Sequence, residues 1–135
     1  LLGLMVRAHL AAPLGRAAPP LRIGIVVRSK ATDERRLHNT DALISSCAAL
    51  GVACEAVALD DAGFAANLHR VLALHALVAL HGSHLAYVAF APRPFAVLEV
   101  KPHRMSSFWF HNCFPSFYAL DTWYYVHHAT ATEHR

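Results

Sequence analysis

A His-Gly-Ser-His-Leu motif at residues 81–85 directly follows the apolar run Ala76–Leu80. An apolar run of this length is typical of a buried strand. Where such a strand ends and a helix begins, a glycine lets the backbone approach a ligand, a serine can cap the helix, and the helix amides attract anions. The motif is therefore predicted to hold a phosphate group. Four of its residues are candidates for the binding site: His81, Gly82, Ser83 and His84. Of these, His81 is expected to hydrogen-bond a pyrophosphate or a sugar, and His84 is expected at the rim.

A second polar cluster follows the apolar run Leu21–Val27. Its candidate site residues are Arg28, Arg35, Arg36 and Asn39. Arginine presents forked donors that match phosphate oxygens, whereas an asparagine at this point either caps the next helix or contacts the ligand. Any one of these arginines alone is as well explained as solvated surface charge, but a cluster at a strand-to-helix crossing favours a ligand site.

Glu99 is a third candidate, because it lies in the otherwise apolar run Phe95–Val100. A carboxylate in such a run is not buried without partners. It either accepts hydrogen bonds from ribose hydroxyls or pairs with a nearby cation, and both alternatives remain open. The cations within reach along the chain are Lys101, Arg93 and Arg104.

The elements that must position these residues alternate between strand and helix. The predicted strands are Leu21–Val27, Val52–Leu59, Ala76–Leu80 and Phe95–Val100. Strands alternating with helices predict βαβ units, and hence a Rossmann-like parallel sheet of the α/β class. Ligands of such sheets bind beyond the carboxyl ends of the strands. Both polar clusters and Glu99 are expected at that edge.

Three helices are predicted between the strands. The first is capped by Asn39 or Thr40 and stopped by Gly51. The second opens at Asp60 and Asp61, and its apolar face is predicted to be Phe64, Leu68, Val71 and Leu72. The third is a short helix over residues 85–90. An aromatic-rich segment at 108–126 is assigned to core or a domain interface, with a helix expected from Pro115 to Tyr125.

Length and composition fit one folded domain. The chain has 135 residues, of which 56% are hydrophobic and 16% charged, and its formal net charge is +3. Residues 1–20 are expected to be the end of a preceding helix and a Pro-rich linker, residues 21–126 a Rossmann-like domain, and residues 127–135 a tail. The scattered arginines do not indicate a nucleic acid partner. The chain begins without Met, and we expect it to be a piece of a longer protein.

The cysteines and histidines give weak signals. Three cysteines without a CxxC pair argue against a disulfide framework and a structural zinc site, which leaves the redox compartment open. His81 and His84 are three residues apart, but no third metal ligand follows at a suitable spacing, so a His-rich metal protein is a minor alternative. No GxGxxG, Walker A or GxSxG motif is present.

The two polar clusters together resemble glycosyltransferase family 61. Residues 35–43, Arg-Arg-Leu-His-Asn-Thr-Asp-Ala-Leu, are similar to the family's RRhhNxxxL stretch, and the strand ending in Arg28 is similar to the one before it. Residues 81–85, followed by Phe90 and Glu99, are similar to the HGAGLxxxxF…hhE block. The resemblance covers residues 21–101, and it departs from the family pattern where His84 replaces the second glycine.

The resemblance implies the C-terminal, donor-binding half of a GT-B-type enzyme. It implies inverting, metal-independent transfer, without a cofactor, from a nucleotide sugar, expected to be a UDP-sugar, to a hydroxyl of a protein or polysaccharide. Cations and helix amides would neutralise the departing diphosphate. The catalytic base would come from the N-terminal half of the same protein, so this fragment is expected to be inactive alone. The location implied for a eukaryotic protein is the Golgi or endoplasmic reticulum lumen. The alternative is a non-catalytic, Rossmann-like nucleotide-binding module or an inactive fragment.

Overall fold

The computed structural model describes residues 21–29, 36–91, 94–105 and 122–130. In chain order, the elements within these ranges are β1 (Arg22–Val27), α1 (Thr40–Ala49), β2 (Ala53–Ala58), α2 (Phe64–Leu72), β3 (Ala76–Leu80), a 3-10 helix (Ser83–Phe90), β4 (Phe95–Lys101) and β5 (Thr122–His128). Four of the strands and the helices between them lie where the alternation of apolar runs and helical spacing predicts them. The predicted linker segment 1–20 and residues 131–135 of the predicted tail 127–135 lie outside the described residues.

The five strands form one sheet in the order β2-β1-β3-β4-β5, and every neighbouring pair is parallel. The chain runs from β1 out to β2 and then crosses back to β3 on the other side of β1. The strand order therefore reverses between β1 and β3, which is where doubly wound sheets open a crevice for ligands. The predicted α/β class and parallel sheet are confirmed, and the topology is compatible with a Rossmann-like fold.

Each face of the sheet is covered by its own helices. On one face, α2 and the 3-10 helix pack Val71, Leu85 and Val88 against Leu77 and Val97. On the other face, α1 contributes partly buried side chains that pack against a buried cluster of the central strands. The strand residues of this cluster are Ile23, Ile25, Ala76, Val78 and Ala96. Burying a side chain of this size contributes roughly 1.5–3 kcal/mol, so the two layers fix how the loops at the strand ends are presented.

Helix α2 is rotated relative to the face that helical spacing predicts. Val71 is buried, but Phe64 is 57% exposed and Leu72 is 42% exposed. Asn67 points inward instead, and its Nδ2 donates to the carbonyl oxygens of Leu59 and Ala62. These carbonyls belong to the irregular turn before α2, which begins at Phe64 and not at Asp60. A buried amide that satisfies them fixes the rotation of the helix.

Strand β5 corrects the helix predicted from Pro115 to Tyr125. Residues 122–125 lie in a strand, and residues 115–121 lie outside the described residues. The segment Thr-Trp-Tyr-Tyr-Val is rich in residues that favour a pleated, half-buried surface, and it pairs with β4 from Phe95 opposite Thr122 onward. The strand continues to His128, two residues past the predicted end of the domain.

A disulfide links Cys47 to Cys54, although the number and spacing of the cysteines argue against a disulfide framework. Helix α1 ends with Gly51 in the left-handed conformation, at a φ of 66°, and the chain turns back into β2. This turn brings the two Cα atoms to 6.0 Å, a normal separation for a disulfide. The odd cysteine count carried no information about this local geometry. Cys113 lies outside the described residues.

Candidate functional site

A cavity of about 420 Å³ opens at the carboxyl edge of the sheet, beside the ends of β1 and β2 and against the 3-10 helix that follows β3. Its volume lies within the range of roughly 300–1,000 Å³ that small-molecule sites occupy. The lining comes from the end of β1, the turn after β2, α2 and the 3-10 helix, and comprises Val26, Val27, Arg28, Leu59, Asp60, Phe64, Ser83, His84, Ala86, Tyr87 and Phe90. Of the candidates from sequence, Arg28, Ser83 and His84 are therefore brought together.

Gly82 is required for space and not for an unusual backbone conformation. Its φ of 174° is extended and open to any residue. A Cβ at this position would lie 2.8 Å from Cε1 of His84 and 3.4 Å from Nη2 of Arg28. The guanidinium and the imidazole therefore pack directly against the glycine. The motif predicts a glycine whose backbone a ligand can approach closely. In the structure, the groups that approach Gly82 closely are two side chains of the site, those of Arg28 and His84.

Ser83 is the first residue of the 3-10 helix and does not cap it. The N-cap is Gly82, which has no side-chain cap hydrogen bond. The predicted capping role is wrong, but the exposed serine lines the same cavity as Arg28. A hydroxyl at this place can donate to a phosphate oxygen.

His84 is buried, which corrects its predicted place at the rim. Its Nε2 lies 2.9 Å from the carbonyl oxygen of Leu80, and because a carbonyl only accepts, Nε2 carries the hydrogen. Burial, assisted by the positive charge of Arg28, lowers the pKa of His84 from 6.5 to about 4. At neutral pH the imidazole is therefore uncharged, and Nδ1 is a hydrogen-bond acceptor.

His81 and Glu99 are joined by a hydrogen bond between Nδ1 and Oε1. Tyr124 donates from its hydroxyl to the other carboxylate oxygen of Glu99. The three residues come from adjacent strands or their ends, and Glu99 is fully buried. Glu99 is not among the residues that line the cavity. Of its two alternatives, a ribose contact or a pairing with a cation, the structure shows a pairing, and the partner is His81. The hydrogen-bond partners of Glu99 include a tyrosine from the strand that sequence reasoning missed.

Asp60, which sequence reasoning assigned to a helix start, lies in the cavity wall at the end of β2. Both carboxylate oxygens lie 3.2 Å from the backbone nitrogen of Ser29, which donates to them. Burial alone would raise the pKa of Asp60, but the hydrogen bonds from Ser29 and the charge of Arg28 outweigh it and lower the pKa below 3.8. Asp60 is therefore an ionised carboxylate that ties the loop after β1 to the loop after β2.

Two further candidates, Arg36 and Asn39, are not among the residues that line the cavity. Arg36 is exposed, and Arg35 lies outside the described residues. Asn39 is the N-cap of α1, as predicted, but its side chain makes no cap hydrogen bond. Thr40 donates instead from its hydroxyl to the carbonyl of Leu37. Among the described residues, the polar cluster predicted after β1 is thus represented in the cavity by Arg28.

The sequence analysis does not predict that three aromatic side chains line the cavity: Phe64, Tyr87 and Phe90. The rings of Phe64 and Tyr87 are stacked, with centroids 5.4 Å apart, and the rings of Phe64 and Phe90 meet edge to face at 5.7 Å. Phe64 matched the apolar spacing of α2 and was therefore assigned to the core. Tyr87 and Phe90 are three apart, which places them on one face of a 3-10 helix, and this spacing was the available signal.

Within the described ranges, no three His, Cys, Asp or Glu side chains are grouped as a metal site would require. No helix in the described part of the chain is long and apolar enough to cross a membrane.

No protein-family model and no curated protein sequence matches the chain. The similarity to glycosyltransferase family 61 therefore stays a prediction based on the two polar motifs.

Proposed function

We propose that this domain binds a nucleotide sugar, expected to be a UDP-sugar, as the donor half of an inverting glycosyltransferase. The observation that carries the proposal is the cavity at the carboxyl edge of the sheet, which is lined by Arg28 after β1 and by Ser83 after β3, the two strands between which the strand order reverses. Arg28 leaves the end of β1 and Ser83 begins the helix after β3. Phosphorylated ligands of doubly wound sheets bind at this place, next to helix amides.

The hydrogen-bond donors of the site support a diphosphate, although the positive charge of Arg28 is balanced by the ionised carboxylate of Asp60 in the same lining. The permanently charged guanidinium of Arg28 supplies forked donors, and the hydroxyl of Ser83 adds another donor in the same cavity. His84 adds no positive charge at neutral pH, because burial lowers its pKa to about 4. Its role is to pack against Gly82 and hold the loop in place. Arg36 would add a more distant positive charge.

His81 would act on the ligand from a fixed orientation. Its Nδ1 is held by Glu99, which is itself held by Tyr124, so the direction of Nε2 is set by the sheet. A donor or acceptor fixed in advance loses little freedom when it binds a ligand. Within this proposal Glu99 is a positioning residue. His81 is not one of the residues that line the cavity, but it lies two residues before Ser83 of the lining and would contact the diphosphate or the sugar from the edge of the cavity.

The family resemblance extends the proposal from binding to transfer. It supports a protein or polysaccharide hydroxyl as the acceptor, a reaction without a metal ion, and a catalytic base from the N-terminal half of the protein. The Cys47–Cys54 disulfide supports a compartment such as the endoplasmic reticulum or Golgi lumen, because disulfides persist in oxidising environments. Residues of this chain would bind the donor and stabilise the leaving diphosphate.

Calorimetric titration of the domain with UDP tests the binding step. The domain is expected to bind UDP, and Arg28→Ala is expected to weaken binding. The transfer step is tested in the longer protein, by following the release of UDP from UDP-sugars in the presence of acceptor. Release that is lost in His81→Ala supports an enzyme. Binding without any release supports the alternative of a nucleotide-binding module.

A further inference from the structure

One wall of the cavity is made of aromatic rings that are open to the cavity and to solvent. Phe64 is 57% exposed and Phe90 is 55% exposed, and both line the cavity. Their edge-to-face contact and the stacking of Phe64 on Tyr87 hold the rings in fixed orientations. Exposed aromatic rings that border a polar cavity are a stacking surface for a planar ring, because every nucleobase has a π face.

An ionised carboxylate lies in the same cavity. Asp60 follows β2, and its lowered pKa keeps it charged at neutral pH. The hydrogen bonds from Ser29 hold the carboxylate in place. A carboxylate has about four lone-pair sites, so it can accept from further donors. An acidic residue after the second strand of a doubly wound sheet is suited to ribose hydroxyls.

We propose that the nucleoside part of the ligand occupies this cavity, with its base against Phe64 and Phe90 and its ribose hydroxyls donating to Asp60. The inference rests on the proposed function, in which the diphosphate binds beside Arg28 and Ser83. It moves the ribose contact from Glu99 to Asp60 and assigns the base to side chains of α2 and the 3-10 helix. The rings of Phe64 and Phe90 carry no hydrogen-bonding groups, so stacking on them would depend on the planarity of the base more than on its identity.

Comparison of UDP with inorganic pyrophosphate separates the base contact from the phosphate contact. Phe64→Leu and Phe90→Leu are expected to weaken UDP binding about tenfold each, within the range for loss of base stacking, and to leave pyrophosphate binding within about twofold. Phe64→Trp restores a stacking ring and is expected to bind UDP as tightly as the wild type. Leu72→Ala, which changes an exposed apolar residue of α2 outside the cavity lining, serves as the control.

The ribose contact is tested with UDP and dUDP. The wild type is expected to bind UDP more tightly than dUDP, and Asp60→Asn is expected to bind the two nucleotides about equally. A uniform loss of affinity for both nucleotides in Asp60→Asn would contradict the ribose contact, because it would indicate a loosened loop.

Two outcomes of the aromatic series overturn the base contact: unchanged UDP binding in Phe64→Leu and Phe90→Leu, or equal losses for UDP and pyrophosphate. If UDP binds and depends on Arg28 while these outcomes occur, this inference fails and the proposed function stands. If the wild type binds neither UDP nor pyrophosphate, both the proposed function and this inference are wrong.

Discussion

Glu99 of β4 and His81 after β3 share a hydrogen bond that crosses between neighbouring strands at the carboxyl edge of the sheet. Tyr124 of β5 donates to the same carboxylate, so three adjacent strands are joined by one buried group. A buried carboxylate is stable only when its oxygens are satisfied. The pairing therefore fixes His81 and also makes the strands that flank it depend on one another.

Tyr124→Phe is expected to destabilise the domain without changing its shape. The substitution removes one hydrogen bond to a buried carboxylate, which costs about 1.5–3 kcal/mol of the free energy of unfolding. Urea unfolding followed by circular dichroism measures the loss. Tyr125→Phe is the matched control, because it changes the next residue of β5, whose side chain points to the opposite face of the sheet. Equal effects of the two substitutions would refute the role of the Tyr124 hydroxyl.

His84 is expected to make the domain more stable as the pH rises from 4 to 6.5. Its pKa is 6.5 in the unfolded chain and about 4 in the folded domain, so the unfolded chain binds more protons in this window. The stabilisation is complete above pH 6.5 and is lost as the pH falls toward 4. Its full size is roughly 3 kcal/mol, since one pKa unit corresponds to about 1.4 kcal/mol.

The variant His84→Gln isolates this contribution. A glutamine amide can still donate to the Leu80 carbonyl, but it has no proton to gain in this range. Urea unfolding at several pH values is expected to give a flatter profile for the variant than for the wild type. The other ten of the 11 histidines are common to both proteins, so the difference between the profiles reports His84. Parallel profiles would contradict a buried, neutral His84.

Gly82→Ala is expected to destabilise the domain by about 1–3 kcal/mol, as overpacking does. The added Cβ would lie 2.8 Å from the His84 ring, which is held by its hydrogen bond to Leu80. Gly63→Ala is the control, because a Cβ there meets nothing within 4 Å. Combining Gly82→Ala with His84→Ala should remove most of the extra loss. A double variant whose losses simply add would show that the clash is not with His84.

Reduction of the Cys47–Cys54 disulfide is expected to lower the free energy of unfolding by about 2–3 kcal/mol, from the loop entropy of a short closed loop. Unfolding of the domain with and without reductant measures the difference. Cys47→Ala should show no effect of the reductant on stability. Alkylation before reduction should leave Cys47 and Cys54 unlabelled, and labelling of both in the oxidised protein would argue against the bond.

The strands were predictable because their signal is local. Runs such as Ala76–Leu80 are apolar throughout, as strands covered on both faces are, and β3 begins and ends at the predicted residues. The edge of the sheet that carries Arg28 and Ser83 follows from the same pattern, since parallel strands bring their carboxyl ends together. This part of the site could therefore be placed from sequence.

The partners of the site residues could not be placed, because they depend on distant contacts. Phe64 fits an apolar helical face, but Asn67 takes the inward position to satisfy two turn carbonyls. Glu99 is hydrogen-bonded to Tyr124, which lies in a strand where a helix was predicted. Tertiary packing overrides local spacing in both cases. The aromatic wall depends on the inward position of Asn67 in α2, and the buried pairing of Glu99 depends on strand β5.

Calorimetric titration with UDP of the wild type, Arg28→Ala and Arg22→Ala tests the central claim most directly. Arg28 follows the end of β1 and lines the cavity, whereas Arg22 is the first residue of β1, at the opposite end of the strand. Arg22 forms an ion pair with Glu55. Arg28→Ala is expected to weaken UDP binding about 10- to 150-fold, as loss of a charge-assisted hydrogen bond does, while Arg22→Ala leaves it within about twofold. A wild-type domain that does not bind UDP, or one whose affinity is the same in Arg28→Ala, would contradict the account.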